Sequence, residues 1–130
     1  MSHGQHVKPN GSGIGRIIKA TKCSFDGLAS AWRDEAAFRQ EMLMAVLGTA
    51  LACWLAQSIN QWLLLVIPLM ALLVVEIFNS AIEAAIDRIG AEIHPLSKKA
   101  KDLGSAAVFI TLLIIALCWG SVLYQNYLVG

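Results

Sequence analysis

Five polar side chains recur at helical spacing at the end of a long apolar stretch. Their separations of three, four and seven residues place them on one face of an α-helix. They are Glu76, Asn79, Ser80, Glu83 and Asp87. The first carboxylate follows thirteen uncharged, mostly apolar residues. A carboxylate at that depth in a membrane costs several kcal/mol, so it normally faces a protein interior or a wet cavity. The pattern therefore predicts a functional face.

The depth of these acids indicates what chemistry they could do. Counted from Trp62, Glu76 lies about 21 Å along a helix, and Glu83 lies about 10 Å further on. Glu35 precedes an earlier apolar run, and Lys101 opens a later one. The carboxylates of Glu35, Glu83 and Asp87 could hold Mg²⁺, and Lys101 could contact a phosphate. The arrangement predicts a reaction between a molecule dissolved in the membrane and a soluble one.

The composition predicts the elements that must position these residues. The 130-residue chain is 57% hydrophobic and 15% charged, whereas a soluble domain carries roughly 25% charged residues. We expect a flexible segment at 1–13 and one all-α membrane domain at 14–130. Within that domain we expect an amphipathic surface region, broken near Ser24–Gly27, and three transmembrane helices. Their approximate bounds are 14–34 for the surface region and 36–56, 62–86 and 104–124 for the spans.

The charges predict the orientation of the chain. All ten Lys and Arg residues fall within 8–39 and 88–101. The positive-inside rule then places the N-terminus and the second of these stretches in the cytoplasm. Gly90 is expected to end the second span, and Pro95 to prevent its continuation through the loop. The net charge of +1 gives no indication of a nucleic-acid partner.

Several sequence motifs resemble those of the small prokaryotic diacylglycerol kinase family. The resemblance covers about residues 15–125, and the chain has neither GxxxxGK[ST] nor a strand-associated GxGxxG motif. The motifs are GRIIKA (15–20), EAAFRQE (35–41), ACWL (52–55), VEIFNSAIEAAIDRIG (75–90) and AKDLGSAAV (100–108). The resemblance implies a homotrimer with three spans and a surface helix per chain. It also implies ATP, Mg²⁺ and diacylglycerol as ligands, phosphatidic acid as the product, and the bacterial inner membrane as the location.

The resemblance also implies roles for individual residues. Glu76 matches the catalytic base, and Asn79, Lys101 and Asp102 match polar positions of the active site. Glu35 and Glu83 match the metal-binding carboxylates, and Ser105 matches a position at the lipid site together with Glu76. The positions that match nucleotide-binding regions are Arg16, Cys23, Glu35, Glu83, Glu92, Ile93, His94, Lys101 and Asp102. At Cys23, relatives often carry Tyr.

Three alternatives remain open at this point. An undecaprenol kinase would share the same core, although EAAFRQE and ACWL favour the diacylglycerol branch. A small oligomeric proton or ion channel could use Glu76 and Glu83 to line its pathway, but it leaves Lys101 and Asp102 without a role. A purely structural membrane subunit would tolerate neutral residues at Glu76, Asn79 and Glu83.

Overall fold

The computed structural model describes residues 13–129, and within this range the chain is all-helical. The prediction of an all-α fold is confirmed. The helices of the described chain are α1 (Ile14–Asp34), α2 (Ala36–Leu55), α3 (Ile59–Ile89) and α4 (Pro95–Tyr127). The predicted flexible segment lies almost wholly outside the described residues.

Helix α1 forms a compact unit by itself. The expected break near Ser24–Gly27 is wrong, because α1 runs as one helix of 21 residues. The hydroxyl of Ser24 donates a 3.0 Å hydrogen bond to the carbonyl of Ala20, and the hydroxyl of Thr21 donates a 2.8 Å bond to that of Ile17. Bonding to the carbonyl four residues back lets these polar side chains stay within a helix.

The second unit comprises α2, α3 and α4, and both α2 and α4 pack on α3. A small residue brings α2 close to α3, since a Cβ atom at Gly48 would lie 2.6 Å from Cδ1 of Leu69. Trp62 and Trp119 pack against the buried core. The members of this core are Ala52, Leu55, Leu65, Val66 and Val122.

The ends of the helices follow from capping residues. Ser58 caps α3 by accepting a 3.2 Å bond from the backbone N–H of Gln61. Gly90 ends α3 with a φ of 152°, as the sequence predicted, because this positive φ is one that side chains rarely allow. His94 then caps α4 and Pro95 occupies its first turn, where a missing N–H costs nothing.

Two helices of the described chain are long and apolar enough to cross a membrane, by length and composition: α3 with 31 residues and α4 with 33. Both extend beyond the expected spans at 62–86 and 104–124, because a helix does not have to stop where its apolar stretch stops. The first turns of α2 contain Arg39, Gln40 and Glu41, which shortens its apolar stretch. A span at 36–56 therefore stays a prediction.

Candidate functional site

The buried carboxylate of Glu76 is the centre of the candidate site. Glu76 is 5% exposed and is the only charged residue that is buried in the described part of the chain. Its carboxylate neighbours Ser80, one turn further along α3, and Glu41 of α2. Glu41 lies in the EAAFRQE motif and could be expected to join the polar group, but the sequence assigned it no role of its own. It could have been found by the criterion that identified Glu76, since it too is an acid adjoining an apolar run.

Three polar atoms near Glu76 are buried without a hydrogen-bond partner. They are Oε2 of Glu41, Oδ1 of Asn79 and Oγ of Ser80. Buried polar atoms in folded proteins are nearly always paired, and an unpaired one costs about 1–3 kcal/mol. Two of these atoms are acceptors and the hydroxyl can donate or accept. The group is therefore suited to a ligand that brings its own polar hydrogen, such as an alcohol.

The glycine at position 104 brings α4 against this group. A Cβ atom there would overlap the side-chain oxygen of Asn79 and would lie 3.7 Å from Cδ1 of Ile82. Gly104 is itself buried. Gly104 belongs to the AKDLGSAAV motif, but nothing in the spacing indicated that it sets how closely α4 approaches Asn79.

The carboxylates of Glu35 and Glu83 both lie close enough to Glu76 to interact with it electrostatically. Glu83 also interacts with Lys101 of α4. The tertiary structure therefore brings these four predicted residues into one series, which leads from the buried acid to the exposed lysine. Glu35 is at the N-cap of α2, which places its carboxylate at this end of the helices.

The structure corrects one detail of the predicted metal site. Among the described residues, no group of three or more His, Cys, Asp or Glu side chains is arranged to hold a metal ion. Asp87 pairs with Lys101 instead, with its Oδ1 atom 2.8 Å from the lysine Nζ. The remaining pair of carboxylates, Glu35 and Glu83, stays a prediction for Mg²⁺.

A charged cavity of about 340 Å³ lies where α3 ends and α4 begins. Pockets of roughly 300–1,000 Å³ are typical of small-molecule sites. The two lysines that line it are held by carboxylates: Lys101 by Asp87 at 2.8 Å, and Lys98 by Asp102 at 2.6 Å. The turn between the helices completes the wall through Gly90, Ala91, Glu92, Ile93 and His94. Five of the nine predicted nucleotide-binding residues line this cavity: Glu92, Ile93, His94, Lys101 and Asp102.

A second cavity, of about 590 Å³, shares the turn but has a more apolar wall. Ile86, Ile89 and Leu96 line it together with residues of the turn. His94 takes part in both cavities, and its Nδ1 atom accepts a 3.1 Å bond from the backbone N–H of Leu96. An accepting Nδ1 carries no hydrogen, so a neutral His94 has its hydrogen on Nε2, where it can be donated.

Three predicted residues lie outside these groups. Ser105 is exposed on α4, directly after the buried Gly104. Arg16 and Cys23 are exposed on α1, in the separate N-terminal unit. Their roles at the lipid and nucleotide sites stay predictions.

Long apolar helices, a buried acid and a lysine-lined cavity at one end together indicate a helical protein of the membrane class with a polar site. Comparison with known proteins gives the family. The family model described as prokaryotic diacylglycerol kinase matches residues 22–123. This chain therefore belongs to the prokaryotic diacylglycerol kinase family and is a kinase.

Individual relatives are similar over nearly their whole length. The diacylglycerol kinase of Escherichia coli strain K12 is 47% identical over 118 residues, which cover 91% of this chain and 97% of the relative. The diacylglycerol kinase of Helicobacter pylori strain 26695 is 46% identical over 122 residues, or 94% and 95% of the two chains. That of Pseudomonas aeruginosa PAO1 is 45% identical over 112 residues, or 86% and 91%.

Proposed function

We propose that this protein transfers the γ-phosphoryl group of ATP to the free hydroxyl of diacylglycerol, which yields phosphatidic acid and ADP. The observation that carries the proposal is the series from buried Glu76, through Glu83, to Lys101 and its cavity. One end of this series suits an alcohol that arrives from the membrane. The other end suits a soluble polyphosphate.

On the lipid side, Glu76 acts as the general base. The hydroxyl oxygen attacks the γ-phosphorus, its proton passes to the Glu76 carboxylate, and the bond from the γ-phosphorus to the bridging oxygen of ADP breaks. The unpaired oxygens of Asn79 and Ser80 lie beside Glu76 and orient the hydroxyl. Ser105, by resemblance, belongs to the same lipid site.

On the nucleotide side, each of the two cavities binds a different part of ATP. The phosphates occupy the charged cavity, where Lys101 supplies a positive charge. The adenine lies on the apolar wall formed by Ile86, Ile89 and Leu96. Glu92, Ile93 and His94 contact the nucleotide from the turn, and Asp102 lies beside the phosphates. Arg16 and Cys23 are assigned to it by resemblance alone.

The donor set of Glu35 and Glu83 fits Mg²⁺, since hard cations take carboxylate oxygens and complete their shell with phosphate oxygens and water. Both side chains are half-buried, and both lie near the carboxylate of Glu76. A Mg²⁺ ion bound there would neutralise charge on the phosphates.

The proposed setting is the bacterial inner membrane, with the N-terminus and the charged cavity in the cytoplasm. In it α2, α3 and α4 all span the bilayer, α1 lies on the surface, and the chain forms a homotrimer. The clustering of Lys and Arg at 8–39 and 88–101 supports this orientation. Large apolar side chains of α4, such as Phe109, Ile110 and Leu117, are exposed and suit contact with lipid or a second copy.

The decisive experiment offers the purified protein both lipids with ATP and Mg²⁺. We expect label from the γ-phosphate of ATP to appear in phosphatidic acid, and we expect chelation of divalent metal to stop the transfer. Labelling of undecaprenol instead would reassign the substrate. Ion flux in liposomes without ATP consumption would support the channel alternative and would refute the kinase proposal for this site.

A further inference from the structure

The charged cavity contains a second ammonium group that neither the sequence motifs nor the family comparison assigns. We propose that Lys98 is a second phosphate-contacting residue, which binds the nucleotide together with Lys101. This inference rests on the proposed function, because it names a further contact for the same ligand.

The position of Lys98 on α4 supports this role. Lys98 and Lys101 are three residues apart, so their Cβ atoms lie about 5–6 Å from each other on one side of the helix. Both side chains line the charged cavity. Lys98 is the fourth residue of α4, and its backbone N–H donates a 3.0 Å bond to the carbonyl of His94, which fixes the start of the helix beside the cavity. Two ammonium groups thus line one cavity, which is a suitable environment for a polyphosphate.

Each lysine is held by a carboxylate that a phosphate could replace. The Nζ atom of Lys98 is 2.6 Å from Oδ2 of Asp102, and both side chains are more than half exposed. Ion pairs exposed to water contribute little to stability, so replacing the carboxylate by a phosphate has a small free-energy cost. A polyphosphate offers several oxygens and more negative charge than one carboxylate, and it can therefore contact both lysines at once.

The neighbouring residue provides a matched control. Lys99 has the same charge and is also exposed on α4, but it does not line the charged cavity. Removing its charge changes the net charge of the protein by the same amount as removing that of Lys98. A difference between the two variants therefore reports on position and not on overall electrostatics.

The experiment compares Lys98→Gln, Lys98→Arg and Lys99→Gln with the unmodified protein. Equilibrium binding of ATP, ADP and AMP is measured without lipid, and KM and kcat are measured with diacylglycerol. We expect Lys98→Gln to weaken ATP binding about threefold to tenfold, the range between an exposed ion pair and a charge-assisted hydrogen bond. The effect should be smaller for AMP, and kcat should be nearly unchanged. Lys98→Arg should keep most of the affinity, and Lys99→Gln should behave like the unmodified protein.

Equal effects of Lys98→Gln and Lys99→Gln would overturn the inference. So would equal weakening of ATP and AMP by Lys98→Gln, because that result would mean that Lys98 only positions Asp102 or the helix. Phosphorylation of diacylglycerol together with equal effects would leave the proposed function intact and reject Lys98. Tight ATP binding that depends on Lys98, without transfer to diacylglycerol, would support the role of Lys98 and reject the proposed function. A protein that does not bind ATP would refute both.

Discussion

The two ends of the α2–α4 unit differ in whether their polar side chains are paired by hydrogen bonds. At one end, which we call the amide end, Gln61 and Asn126 exchange hydrogen bonds of 2.8 and 3.2 Å, and Asn126 also donates a 3.1 Å bond to the carbonyl of Leu55. At the other, which we call the acid end, oxygens of Glu41, Asn79 and Ser80 are buried without partners.

The buried side chains near the two ends differ as well. Leu55, Leu65 and Val122 belong to the buried cluster next to the amide end, and the indole N–H of Trp119 donates a 3.1 Å bond to the carbonyl of Leu65. The acid end has buried apolar side chains too, such as Phe38, but a charged residue, Glu76, is buried there as well. A fully paired network stabilises a fold, whereas unpaired acceptors cost stability unless a ligand pairs them. The difference indicates that the amide end holds the helices together and that the acid end binds and reacts.

Replacing Glu76 tests this division most strongly. We expect Glu76→Gln to reduce the rate of phosphoryl transfer about 10²- to 10⁴-fold, the usual contribution of a general base, while the protein stays folded. The steady-state rate and the unfolding temperature in detergent are measured together. Thr111→Val is the control, because Thr111 is the other buried polar residue of the described chain and its hydroxyl bonds within its own helix at 2.9 Å. Normal turnover of Glu76→Gln would exclude it as the base.

A methyl group at position 104 should disturb both stability and activity. We expect Gly104→Ala to cost about 1–3 kcal/mol in the free energy of unfolding, since its Cβ overlaps the side-chain oxygen of Asn79. Because Asn79 must move, the KM for the lipid should rise as well. Gly120→Ala on the same helix is the control, because a Cβ there meets no atom within 4 Å. If the two variants have the same KM for the lipid, Asn79 does not depend on this contact.

Loss of the amide network should affect stability alone. Asn126→Leu removes the side-chain donor to the carbonyl of Leu55 and both hydrogen bonds to Gln61, and we expect a loss of about 1–3 kcal/mol in the free energy of unfolding. Gln125→Leu, which removes one exposed bond of 3.3 Å, should have a much smaller effect. Both variants should retain the KM values for ATP and lipid. A changed KM in Asn126→Leu at unchanged stability would contradict the division between the two ends.

The ion pair between α3 and α4 should have the smallest effect. We expect Asp87→Asn to lower the free energy of unfolding only slightly, since the pair is exposed and screened by water and salt. The difference from the unmodified protein should shrink further as the salt concentration rises. Chemical unfolding at low and high salt measures this change in the free energy of unfolding. A large change that salt does not reduce would show that the ion pair is essential for holding α3 and α4 together.

The helical class, the glycine that ends α3 and the polar face of α3 could all be predicted from the amino-acid sequence. Helix periodicity, apolar run length and the φ preference of glycine are local properties, so they can be read without knowing the fold. Local polarity was less informative at Ser24–Gly27, where the expected break is absent because serine and threonine hydroxyls bond to carbonyls of their own helix. The family could also be identified from motifs, which are likewise local.

The contacts that these residues make with other helices could not be predicted in this way. The proximity of Glu41 to Glu76, the contact of Gly104 with Asn79 and the pairing of Lys101 with Asp87 each join two helices. The amide network likewise joins residues 61 and 126, which are 65 positions apart. Such contacts depend on how closely and in which register the helices pack, and that depends on small residues such as Gly48 and Gly104. Helical spacing fixes the face of a residue on its own helix, but it does not fix the partner on the next one.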